Sequence, residues 1–298
     1  MPHLTITFVI VITHALTGTA SVATRYLVEY LQPEEVAFLR YLIGGVFTAS
    51  ICLMIKNTRA TQRPFFVKSL LLGVLFFALF PFLFSLAFKY TTAARGALVL
   101  ATMPMWAMLI GHVTKHEPMT PRLTAGVIVT LAGLAFALMD KLVQPAAGPL
   151  TFMGEIIMLL TALTGAVYSV LAKSTLADVS AFRYTPVMMI AGCAALAPWA
   201  ADVSLIQTLS GFSVARLAII LYLGCIAGGL AFLMMNWVLG HASATFTTLF
   251  VPLNPLTAMF LAWPLLNEPL TLNFIIGALV VFTGLYIGQS TLKRAVIN

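Results

Sequence analysis

The side chains able to do chemistry in this sequence are few. His14, Thr17, Tyr168, Asn236 and Asn254 are polar groups set inside long apolar runs, and Phe80, Met103, Trp106 and Trp237 are large side chains of the same runs. Such a set can hydrogen-bond a small amphipathic solute and close around its apolar part, which is the chemistry of a binding wall. Each could equally be packing. Catalysis is a poorer fit, because there is no Gly-x-Ser-x-Gly elbow, no His-Glu-x-x-His and no aspartate pair within an apolar run. No catalytic residue is therefore assigned and an enzyme is not expected. Cys52, Cys193 and Cys225 lack metal-ligand spacing and read as small core residues, so neither metal nor cofactor is expected.

Ionisable groups are scarce where a coupled ion would need them. Glu29, Glu34, Glu35, Glu117, Asp140, Asp178, Asp202 and Glu268 fall in loops or at the ends of apolar runs, which leaves Glu155 about one turn inside. Two readings of Glu155 stay open: an acid stabilising a helix start, or a coupling carboxylate. His14 also has two, a proton-responsive group or a hydrogen-bonded structural histidine. The scarcity of deep acids predicts no tightly bound coupling ion.

The elements that must position these residues are long apolar helices. The chain has 298 residues, 61% hydrophobic and 8% charged, with a mean hydropathy of +1.02, which excludes an ordinary soluble domain. Ten apolar stretches occur near 4–24, 35–55, 66–88, 93–113, 121–140, 152–172, 182–201, 214–238, 243–266 and 270–290. They are continuous and about twice the length of a tilted barrel strand, so helices are predicted. The first carries no basic leader or trusted cleavage pattern and is expected to stay as an anchor. Pro81, Pro104, Pro186 and Pro255 lie within these runs, where each favours a kink or a break.

The chain also contains itself twice. Glu117-Pro118-Met119-Thr120, with Gly126 and Gly133 after it, returns as Glu268-Pro269-Leu270-Thr271 with Gly277 and Gly284, an offset of 268 − 117 = 151. At that offset Pro104 falls on Pro255, so the two are candidate symmetric hinges or static kinks. A shorter echo sets Ala15-Leu16-Thr17-Gly18 on Ala162-Leu163-Thr164-Gly165. The expected fold is an all-α polytopic membrane protein of ten transmembrane helices, in two five-helix repeats covering 1–145 and 146–298. Five spans per half is odd, so the repeats are predicted to be inverted.

Basic residues set the expected orientation. With the N-terminus inside, Lys56, Arg59, Arg63, Lys68, Lys115, Arg122, Lys173, Arg183, Lys293 and Arg294 lie on the inner side. Arg25, Arg40, Lys89, Arg95, Lys141 and Arg216 lie on the outer side. Both termini are thus expected in the cytoplasm and the Glu268 turn outside. A net charge of +7 then needs no nucleic-acid partner. A wall of Met, Trp, Phe and neutral donors disfavours polyanions, which would call for intramembrane Lys or Arg.

Together the ten spans, the Glu-Pro turn before the last helix of each half and the paired glycines within it resemble the drug/metabolite transporter superfamily, EamA type. Phe38-Leu39-Arg40-Tyr41 and Ala181-Phe182-Arg183-Tyr184 fit the same pattern, and the aromatic and methionine content is most similar to YddG-type amino-acid exporters. Where the family often has a tryptophan early in the first helix of a half, this sequence has His14 and Thr161. The resemblance implies a central cavity lined by spans 1–4 and 6–9, with spans 5 and 10 outside it. It implies export of small neutral or aromatic amino acids and related metabolites by alternating access, from a bacterial inner membrane. The expected partners are that solute and the lipid bilayer, with the chain a monomer or weak homodimer. A passive channel for amphipathic solutes and a carrier for another metabolite class remain as alternatives.

Overall fold

The computed structural model describes residues 3–55, 66–143, 150–266 and 270–289, which form helices and turns with no strand among them. The first half contains α1 (His3–Leu27), α2 (Pro33–Met54), α3 (Phe66–Val74), α4 (Phe80–Phe88), α5 (Ala93–Leu100), α6 (Met103–Val113), α7 (Pro121–Ala137) and α8 (Met139–Leu142). The second contains α9 (Thr151–Leu176), α10 (Ala181–Ala200), α11 (Val203–Ser210), α12 (Val214–Gly224), α13 (Ala231–Leu239), α14 (Ala244–Leu249), α15 (Leu253–Leu266) and α16 (Leu272–Gln289). Six stretches are long and apolar enough to cross a membrane: Pro33–Met54, Val67–Phe88, Ala94–Val113, Thr151–Leu176, Val214–Leu239 and Ala244–Leu261. Leu4–Ala20, Pro121–Ala137 and Leu272–Gly288 are shorter apolar helices. The seventh expected span is the helix α10, which contains Arg183, Pro186 and Pro198 and falls in neither group. The Glu268 turn and the last two basic residues, Lys293 and Arg294, lie outside the described residues.

Two irregularities recur in matching places. The third span of each half contains a π-helical segment, Leu75–Leu79 before α4 and Cys225–Leu230 before α13. Pro81, the second residue of α4, has no N–H to return to Phe77, which accounts for the first wide turn. The fourth span of each half is broken. Pro104 is the second residue of α6 after the turn at Ala101 and Thr102, and Pro255 is the third residue of α15 after the turn through Pro252. Pro186, by contrast, lies within an unbroken α10. At the second break Val251 N–H bonds Thr248 O instead of Thr247 O, which frees the Thr247 carbonyl.

Helix pairings exchange when the halves are swapped. α1 packs on α13 and α15, as α9 packs on α4 and α6, while α2 packs on α10 and α7 on α16. The repeated glycines explain the last pair. A Cβ on Gly133 would stand 2.6 Å from Val281 N, and one on Gly277 would stand 2.4 Å from Ala137 N, so these helices touch backbone to backbone. Between the halves lies an aromatic and methionine core in which the Phe76 and Tyr168 rings stack at 4.0 Å, with Tyr184, Met188 and Met189 around them. Phe82 and Phe88 of the same third span are exposed, as a helix ringed with phenylalanine requires. Cys193 is buried, Cys52 and Cys225 are half-buried, and all three are free.

Candidate functional site

A cavity of about 250 Å³ lies between the halves. The first half supplies His14, Thr17, Arg40, Tyr41, Phe76, Phe80, Phe84 and Met103, and the second supplies Phe232, Met235, Val251, Asn254, Pro255 and Met259. It extends from the mid-length of α1 past Thr24, Phe88, Ala94 and Lys141, toward the end of the bundle where α1 turns into α2 and α4 into α5. Ligand pockets are typically about 300–1,000 Å³, so this one suits a small solute.

The inner limit of the cavity is built on the second broken helix. Asn254, one residue past the start of α15, accepts the Thr17 hydroxyl at 2.8 Å on Oδ1 and lies 3.0 Å from His14 Nδ1. His14 Nε2 is 3.3 Å from the Thr247 carbonyl that the break frees. A Cβ on Gly18 would come 2.7 Å from Asn254 O, so α1 approaches α15 closely enough to form this cluster only because a glycine is there. Pairing of buried polar groups in an apolar setting is what hydrocarbon demands.

Of the residues singled out from sequence, His14, Thr17, Phe80, Met103, Asn254 and Pro255 line the cavity. Tyr168, Asn236, Trp106 and Trp237 are placed away from its wall, and their bonds show why. Tyr168 donates to Asn236 Oδ1 at 2.9 Å and Asn236 Nδ2 donates to Thr185 Oγ1 at 3.0 Å, which ties α9, α13 and α10 together. Trp106 Nε1 donates within its own helix turn to Thr102 Oγ1 at 3.1 Å, and the Trp237 ring packs on His241 at 4.5 Å. Pro104 stands next to Met103 at the first break and is itself buried.

Three charged residues have roles that loop counting missed. Arg40, counted from sequence only as a basic residue of the outer side, lies in the cavity wall, with Nη2 donating to Ala227 O at 2.9 Å. That carbonyl belongs to the π segment, whose irregular bonding leaves no clear sequence signal. The expectation that the wall holds no cation is corrected by Arg40 and by Lys141 nearer the mouth. Glu155 is neither in the first turn of α9 nor in the cavity, and it pairs with Arg95 at 3.2 Å. Glu117, read as a loop acid, is only 7% exposed. Its carboxylate accepts Ala244 N–H at 2.5 Å, Thr245 N–H at 3.2 Å and the Thr245 hydroxyl at 3.2 Å, and pairs with Lys173 Nζ at 2.9 Å. A carboxylate at the start of α14 satisfies amides that the helix leaves open and meets the positive end of its dipole. It joins the α6–α7 turn to α9 and α14, closing the end opposite the cavity mouth.

Apolar helices in two interlocking halves around a small cavity, shut at one end, define a membrane transporter. The chain belongs to the EamA-like transporter family, which it matches over residues 4–139 and 152–288. It is 22% identical over 281 residues to a Bacillus subtilis (strain 168) protein described as "Uncharacterized transporter YoaV", covering 93% of this chain and 94% of the other. It is 27% identical over 261 residues to an uncharacterized transporter of Archaeoglobus fulgidus, covering 86% and 88%. A crystal structure superposes with a TM-score of 0.76 over 98% of each chain at 18% identity, a likeness of fold alone.

Proposed function

We propose that this protein is a secondary carrier that exports small neutral or aromatic amino acids and related metabolites by alternating access. The observation that carries the reading is the cavity shared by both halves, reaching toward one end while Glu117, Lys173 and the start of α14 close the other. Two inverted five-helix repeats, covering 1–145 and 146–298, would exchange roles to open the closed end. Pro104 and Pro255, each beside a helix break, are the hinges of that exchange. Phe76, Phe80, Met103 and Met235 form the apolar wall, and His14, Thr17 and Asn254 form the polar floor.

The carrier works as a monomer or weak homodimer in a bacterial inner membrane, with both termini cytoplasmic. It uses no cofactor and no tightly bound coupling ion, and the buried acid among the described residues, Glu117, is taken up by Lys173 and the α14 amides. Counterflow in proteoliposomes against a panel of amino acids is the direct test. Saturable exchange that persists after proton and sodium gradients are collapsed supports the reading. Flux that neither saturates nor exchanges identifies a channel, and labelling of a cysteine at Asn267 only from the cytosolic side rejects the orientation.

A further inference from the structure

We infer that Arg40 is the anchor for a carboxylate, so that the carrier recognises its solute as a small carboxylate with an apolar body and not by its amino group. The inference rests on the cavity being the solute path. Its own ground is the charge of the wall: Arg40 and Lys141 line the cavity, and no Asp or Glu is among its described lining residues. An ammonium group entering this space meets like charge, whereas a carboxylate meets a planar donor fork suited to binding it with two parallel bonds.

The guanidinium is also held ready. Nη2 is fixed on Ala227 O at 2.9 Å, and Cζ lies 5.5 Å from the Tyr41 ring and 5.6 Å from the Phe232 ring. A Cβ on Gly228 would come 3.4 Å from Arg40 Nε, so the glycine leaves room for the side chain to cross the π segment. Nε is buried and has no hydrogen-bond partner. A carbonyl and two ring faces compensate the charge only in part, and an ionisable side chain kept inside an apolar bundle and lining its cavity points to a functional site. The rings of Phe76, Phe80 and Phe84 supply the surface for the apolar body.

The test separates the two halves of a phenylalanine-like solute. Counterflow of labelled phenylalanine in proteoliposomes is challenged with 3-phenylpropanoate, which keeps the carboxylate, and with 2-phenylethylamine and phenylalaninamide, which lose it. The carboxylate is expected to compete at least about tenfold better than either amine, the scale of a hydrogen-bonded charge. In Arg40→Gln that preference is expected to collapse while apparent affinity falls. Arg40→Lys is expected to restore part of the preference. If the amines compete as well as 3-phenylpropanoate in the wild-type protein, the anchor is refuted while the carrier reading stands. If no solute in a wider amino-acid and carboxylate panel undergoes counterflow, it is the carrier reading that fails.

Discussion

The two ends of this bundle are related by the repeat yet are bound by different chemistry. At the closed end one buried carboxylate, Glu117, gathers two backbone amides, a hydroxyl and an ammonium from α9 and α14. At the cavity end the ion pair described is Arg95 with Glu155, whose side chains are 31% and 27% exposed. Arg95 also donates to Leu142 O at 3.2 Å. The helices beginning at the two ends match in their caps, Ser243 accepting Phe246 N–H at the start of α14 and Thr92 accepting Arg95 N–H at the start of α5. The difference therefore comes from what meets the helix start and how exposed it is, and in the proposed alternating cycle it would make the closed end the costlier one to open.

Removing the charge at the closed end is expected to have the largest effect. Glu117→Gln keeps the shape but loses charge-assisted bonds worth about 1.5–3 kcal/mol each, and it leaves Lys173 without its counter-charge. The ratio of closed to open should fall roughly ten- to a hundredfold for one such bond. Reagent access to a single cysteine placed at Ala242, between α13 and α14 and in a background without Cys52, Cys193 and Cys225, reports it. Unchanged labelling would show that Glu117 does not hold this end shut.

The spine shared by both ends should behave differently. Gly133→Leu inserts a side chain where Val281 N already lies 2.6 Å from a Cβ, and overpacking of that kind costs about 1–3 kcal/mol. α7 and α16 touch each other and contribute little to the cavity wall, so thermal stability should drop without a change in the order of solute preference. A switch in preference would mean that the α7–α16 contact takes part in selecting the solute.

How much of this was legible follows from the kind of signal each residue carries. The glycine and proline pairs were readable because a backbone constraint repeats with the sequence, and Gly126, Gly133, Gly277 and Gly284 all lie at the α7–α16 contact. His14, Thr17 and Asn254 were readable because a polar group in an apolar run requires partners. Trp106 and Trp237 were assigned to the solute path because a helix apolar all round does not say which side faces inward. The roles of Glu117 and Arg40 were not legible for another reason. Their roles depend on a helix start and a π-segment carbonyl more than a hundred residues away, respectively Ala244 and Ala227.

The floor of the cavity gives a sharper contrast between residues of similar type. Asn254→Ala leaves His14 Nδ1 without its partner, at a cost of about 1–3 kcal/mol for a buried group left unpaired, while the Thr17 hydroxyl keeps the Thr13 and His14 carbonyls. Counterflow should weaken severalfold. Trp106→Ala and Trp237→Ala, which alter side chains outside the wall, should leave solute preference as it is. If the two tryptophan variants change preference and Asn254→Ala does not, the solute path runs on the other side of α6 and α13.

The smallest effect is expected from Glu155→Gln, and it is the control for the comparison. Glu155 was the acid closest to an apolar interior by sequence, so a coupling role would make this substitution abolish uphill transport. The structure instead pairs it with Arg95 at a partly exposed site away from the cavity wall, where water screens the pair and its loss costs about 0–1 kcal/mol. Exchange should survive, and thermal stability should fall less than in the Glu117 variant. The decisive measurement is solute accumulation under an imposed pH gradient, made in parallel for wild-type protein and Glu155→Gln. Accumulation that disappears in the variant while exchange is retained would make Glu155 the coupling site, and the cavity end would then hold the energetically important carboxylate.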